Sequence, residues 1–290
     1  MTEEILYKRR SSIACLIDAL ELMNNNIATI LRKCWPYMLA TALLTAVILT
    51  AMIDIYAEKP LMINAIVLTV ASVAAIVASA LFYGKIIAIL SGNAFISTAK
   101  RIALFLLLLI VLIVIFVTIQ YGTGYALAMV AVKHFSILKH INIIVLGVSL
   151  MLSVFFVVAT VLLVYAGMKY FYGNTSLNRI HKEYKTGMHY FFFIFGTLLL
   201  LAFVVAIIAT IVGLPITILI QAAINSTASI MIGDPNDLPG NFTILTFAST
   251  SVVAIVYSLL TIWELLVVRY IYGSIEKRIE MKKIHTADDN

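Results

Sequence analysis

Charge is scarce in this chain: Asp, Glu, Lys and Arg make up 12% of its 290 residues, against about 25% in an ordinary soluble domain. With 63% hydrophobic residues and a mean hydropathy of +1.07, the chain has too little polar surface to cover a water-soluble core. Cysteine is nearly absent. Cys15 and Cys34 both precede the first long apolar run, which excludes a disulfide framework and a thiolate metal cluster. The five histidines (His134, His140, His181, His189 and His285) all fall in connections or tails. The spans therefore have no ligand set for zinc or iron, and no cofactor is expected. The phosphate-cradling glycine loop and the Gly-x-Ser-x-Gly elbow are also missing. An enzyme is not expected. Segments of about ten residues with alternating apolarity, the mark of a membrane β-barrel, do not occur.

Long apolar runs dominate what remains. Six of them, near 35–56, 61–83, 102–121, 141–165, 190–212 and 242–268, each suffice for the roughly 20 helical residues that cross a hydrocarbon core about 30 Å thick. The expected fold is all-α: a polytopic membrane protein with six transmembrane helices. The chain divides into a cytoplasmic amphipathic segment (1–34), a six-helix transmembrane domain (35–273) and a cytoplasmic tail (274–290).

Lys and Arg orient these spans. Five lie before the first span (Lys8, Arg9, Arg10, Arg32, Lys33), three between the second and third (Lys85, Lys100, Arg101), four between the fourth and fifth (Lys169, Arg179, Lys182, Lys185) and five after the sixth (Arg269, Lys277, Arg278, Lys282, Lys283). The opposite side holds only Lys59, Lys133 and Lys139. The positive-inside rule then places both termini in the cytoplasm and makes the bacterial inner membrane the expected location. The net charge of +6 reads as a topology signal directed at anionic headgroups, not as a nucleic-acid footprint. A protein partner or a homo-oligomer is compatible with this pattern and unspecified by it.

A Tyr-Gly pair closes the second, fourth and sixth runs, as Tyr83-Gly84, Tyr172-Gly173 and Tyr272-Gly273. A Tyr ring suits the headgroup boundary, and a following Gly can end a helix in the left-handed conformation. The pairs are read as interfacial stops. With similar spacing to the next run, they imply three parallel repeats, each an amphipathic cytoplasmic segment followed by a helical hairpin. The first such segment, 12–34, carries Ile13, Leu16, Ile17, Leu20, Met23, Ile27, Ile30 and Leu31 at three- and four-residue steps. It either lies in the membrane plane or packs beneath the bundle. On the outer side, Pro215 is expected to kink or end the fifth span, leaving a long irregular loop before the sixth.

Polar groups inside spans are the default functional candidates. Glu264 stands in the sixth run, with Thr243, Thr246, Thr250, Tyr257 and Thr261 leading to it on roughly one helical face. Two readings compete. In one, the hydroxyls bond across helices and Glu264 pairs with a base such as Lys85, Lys169 or Arg269. In the other, span six lines a path and Glu264 binds a proton or cation.

The N-terminal stretch IACLIDALELMNNNIATILRKCWPYMLA, the six spans and the basic cytoplasmic connections together resemble a group of bacterial six-span proteins, similar to the membrane domain attached to some glycerophosphodiester phosphodiesterases. The resemblance implies the six-span fold and carries over no active-site residue. The expected function is that of a non-enzymatic accessory or scaffold protein; the alternative is a transporter or channel for a small solute or ion.

Overall fold

The computed structural model describes residues 7–57, 60–133, 141–172, 180–233 and 238–288. Among them the chain forms seven helices and no strand: α1 (Ser12–Tyr56), α2 (Leu61–Ser91), α3 (Phe95–Lys133), α4 (Ile141–Tyr172), α5 (Ile180–His189), α6 (Phe191–Ile232) and α7 (Phe242–Asp288). All but α5 are long and apolar enough to cross a membrane. Two compact units emerge, Met1–Ile102 with Gly196–Asn290, and Ala103–Phe195.

In the first unit, α1 and α7 are the principal pair. Ser11 caps α1 by accepting a hydrogen bond from the Ala14 amide. The buried stripe of α1 is built of small residues, with Cys15, Ala19, Cys34, Ala42 and Ala46 essentially inaccessible. Small side chains let helix backbones approach closely where lipid supplies no hydrophobic drive.

The segment 12–34 is not a separate element, because α1 continues unbroken from Ser12 to Tyr56 with Pro36 inside it. It is not straight either. Thr250 of α7 touches the Ala46 carbonyl, and Trp263 of α7 donates to the Leu16 carbonyl. Those contacts span about 20 Å of α7 but about 45 Å of α1 at 1.5 Å per residue. The N-terminal arm of α1 must therefore turn back toward α7. Pro36 lies between the contacts, and a proline lacks the amide proton and crowds the preceding turn, the usual origin of a sharp bend.

Two of the three Tyr-Gly pairs do not end helices. Gly84 lies inside α2 and Gly273 inside α7; Gly173 falls outside the described residues. Gly84 serves close packing instead: a Cβ there would stand 2.8 Å from the Ala99 Cα. The true end of α2 is Gly92, left-handed at φ 74°, whose amide donates to the Ala88 carbonyl. The connection between the second and third spans is thus the tight tip of a helical hairpin and not an amphipathic segment, and the repeat loses the signal on which it was built.

The connection between the fifth and sixth spans differs from expectation as well. Pro215 sits within α6, which runs on to Ile232. The expected irregular loop is mostly helix, because its apolar residues find partners: Leu219 and Ala223 pack with Ile53, Ala57 and Phe242 in one buried cluster. At the opposite end α7 is enclosed on all sides, with every residue from 269 to 275 buried.

In the second unit, α3 and α4 are joined by aromatic pairs, Phe116 stacked on Phe156 at 4.2 Å and Phe105 edge-on to Phe171 at 5.1 Å. α5 folds back on the end of α4 through an ion pair between Lys169 and Glu183 at 3.0 Å.

Candidate functional site: the polar stripe of α7

The stripe turns toward protein, as a row of hydroxyls in lipid must. Thr246 and Thr250 are fully buried. The Thr246 hydroxyl bonds the Phe242 carbonyl at 2.8 Å. Thr250 bonds the Thr246 carbonyl at 2.8 Å and meets the Thr50 hydroxyl of α1 at 3.2 Å. Two helical turns closer to the start of α7 than Thr250, the Thr243 hydroxyl lies 3.2 Å from both carboxylate oxygens of Asp54. Further along, the Tyr257 hydroxyl donates to the Ala209 carbonyl of α6 at 2.8 Å. Thr261 bonds back to the Tyr257 carbonyl at 2.9 Å. The stripe is thus a seam that holds α7 to α1 at one level and to α6 at the next.

Glu264 ends this row, half-buried. Among the described residues it takes part in no hydrogen bond and no ion pair; its electrostatic neighbour is Tyr83 of α2. Among the described residues, none of the three expected bases, Lys85, Lys169 and Arg269, forms an ion pair with Glu264. Lys169 pairs with Glu183 and also reaches the Tyr165 hydroxyl at 3.4 Å. Lys85 lies over the Phe95 ring, 5.0 Å from its centre. Arg269 is buried, one position in the fully enclosed run of α7. The physical reason is position: Glu264 is only half-buried, so part of the residue stays open to its surroundings and no buried countercharge is required.

Two polar features escaped the sequence reading. Asp54 is 6% exposed, and it joins Thr243 in the first turn of α7, where a helix presents free amides and positive potential. Its signal was available: Asp54 follows Thr50 by one turn, as Thr250 follows Thr243 by two, and the pairs match antiparallel. Gln120 of α3 is the second. Its amide donates to the Ser149 carbonyl and Ser153 hydroxyl of α4, each at 3.2 Å, and accepts from the Ser149 hydroxyl at 2.8 Å. A lone Gln near the end of an apolar run is the signal, since lipid cannot satisfy an amide. This node borders an open groove of about 590 Å³ that includes Val117, Tyr121, Tyr125 and Val148.

Among the described residues, no three His, Cys, Asp or Glu side chains group to hold a metal ion. Comparison with known proteins finds no matching family model, no matching curated protein and no matching solved structure.

Proposed function

We propose that the protein is a non-enzymatic accessory or scaffold protein of the bacterial cytoplasmic membrane, with both termini inside and anionic headgroups along its inner face. The observation that carries this reading is the fate of the polar stripe. Its hydroxyls are all taken up in protein bonds: Thr250 with Thr50, Thr243 with Asp54 and Tyr257 with Ala209 reach other helices, while Thr246 and Thr261 bond back to carbonyls of α7. Groups bonded in this way seal a seam; a conducting path needs groups turned to water. The pattern-level resemblance to membrane domains of glycerophosphodiester phosphodiesterases belongs to the same proposal, of spans that support a neighbouring activity. The three-hairpin arrangement now rests on span count and charge placement alone.

A second reading is favoured by one observation, that Glu264 is half-buried and has no partner among the described residues. An intramembrane acid in that state can bind a proton or cation. Reconstitution into vesicles with an internal pH dye, and with a sodium or potassium gradient, separates the two. The scaffold reading predicts the permeability of empty vesicles and no effect of Glu264→Gln. It also predicts that this substitution leaves the melting midpoint in detergent nearly unchanged, within the about 0.5 kcal/mol typical of changes outside a network. A flux that Glu264→Gln abolishes would establish the transporter instead.

A further inference from the structure

The N-terminal arm of α1, residues 12–34, divides into three sectors around its axis. One sector faces protein: Cys15, Ala19, Ile30 and Cys34 are buried. The next is open and mainly apolar, with Ile13 61%, Ile17 58% and Leu20 50% exposed and Asn24 the one polar side chain among them, one turn beyond Leu20. The third is polar, with Glu21, Asn25, Thr29 and Arg32 outermost and Asp18 beside them. Helical geometry at 100° per residue sets the apolar sector between the protein-facing and polar ones. A helix in water would expose one polar face, and a helix beneath a bundle would bury its apolar one. This helix does neither.

Its placement accounts for the order. Ser12 accepts a hydrogen bond from Thr197, near the start of α6, at 2.9 Å. Leu16 receives the Trp263 indole of α7. The segment leading into the arm is pinned through Arg10, which is 6% exposed. Its guanidinium pairs with Asp18 and lies 4.4 Å over the Tyr270 ring, while its amide donates to Ser274 at 3.0 Å. These contacts fix the arm's rotation, so the apolar sector cannot roll inward. The bend at Pro36 sets it against the first turns of α6, at Thr197, and against the Trp263–Ser274 stretch of α7, which continues beyond it to Asp288.

We propose that this arm is an in-plane membrane helix whose Ile13, Ile17 and Leu20 ridge inserts into the acyl region of the inner leaflet. The occupant of the exposed sector is thus phospholipid. Charge favours the same partner, because exposed Lys8 and Arg9 precede the arm and exposed Arg32 and Lys33 close it, at the depth of anionic headgroups. Trp35, 54% exposed just after the last of these bases, is the residue type most at home at that boundary. The inference stands apart from the choice between scaffold and transporter, since either would use such an anchor.

Spin labels test it directly. With Cys15 and Cys34 replaced by Ala, single cysteines at Ile13, Ile17 and Glu21 are labelled, and the protein is placed in vesicles of phosphatidylethanolamine and phosphatidylglycerol. Labels at Ile13 and Ile17 should collide frequently with oxygen and several-fold less with a water-soluble nickel chelate than the label at Glu21. Circular dichroism of each labelled protein confirms that the helices remain. Nickel collisions at Ile17 as frequent as at Glu21 would place the ridge in water and overturn the proposal. Low collision rates with both reagents would also overturn it, because protein, a second copy or another partner, would then cover the ridge.

Discussion

At the residue scale, the informative positions are those where a side chain, or its absence, is dictated by a neighbour. Gly84 is one. A methyl group there meets the Ala99 Cα at 2.8 Å, backbone against backbone, so no rotamer change relieves it. Gly84→Ala gains about 1 kcal/mol of helix propensity but forces α2 and the first turns of α3 apart, an overpacking cost of about 1–3 kcal/mol. We expect a lowered melting midpoint in detergent, with helix content retained. A midpoint at or above that of the parent protein would show that the hairpin tip yields freely. Arg10 illustrates the opposite case, a charge whose value depends on several partners at once. Counted only as a topology signal, it looked interchangeable with Lys8 and Arg9, yet it is the one that is buried.

At the element scale, helix identity was legible and helix ends were not. Each long apolar run became a helix because only helices and closed barrels satisfy the backbone in lipid. The ends depend on what continues to bury the chain after lipid stops. α7 passes Tyr272-Gly273 without a break because residues 269 to 275 are enclosed by protein. α6 passes Pro215 because Leu219 and Ala223 have Ile53 and Phe242 to pack on. A sequence displays neither enclosure. The α1–α7 seam was half legible: the spacing of Thr246, Thr250, Tyr257 and Thr261 marked the buried face of α7, while Thr50 and Asp54 on α1 were passed over. Asp54 meets the first turn of α7, a place that only the packing of α1 on α7 reveals. The seam makes a measurable demand. A double-mutant cycle of Thr50→Ala and Thr250→Ala should return a coupling energy of about 0.6 kcal/mol, the mean for hydrogen bonds between membrane helices. A coupling indistinguishable from zero would mean that the two hydroxyls are bonded independently to their own helices.

At the scale of the whole molecule, charge distribution and the polar seam support one account. Six helices are long and apolar enough to cross a bilayer, and the polar stripe ties α7 to α1 and α6. The scaffold proposal holds that basic residues orient the spans and that this seam closes the space a transporter would leave wet. Topology and sealing make separate demands on the same labelling experiment. In a background with Cys15 and Cys34 replaced by Ala, single cysteines are placed at Ile232, Met281 and Thr250. Ile232 is 81% exposed at the end of α6 and Met281 is 38% exposed near the end of α7, while Thr250 is fully buried within the seam. A membrane-impermeant maleimide should label Ile232→Cys only from outside intact cells and Met281→Cys only from the cytoplasmic face of inverted vesicles. It should label Thr250→Cys from neither side until the protein is denatured. Modification of Thr250→Cys in the folded protein, from either face, would contradict a sealed seam and with it the central claim.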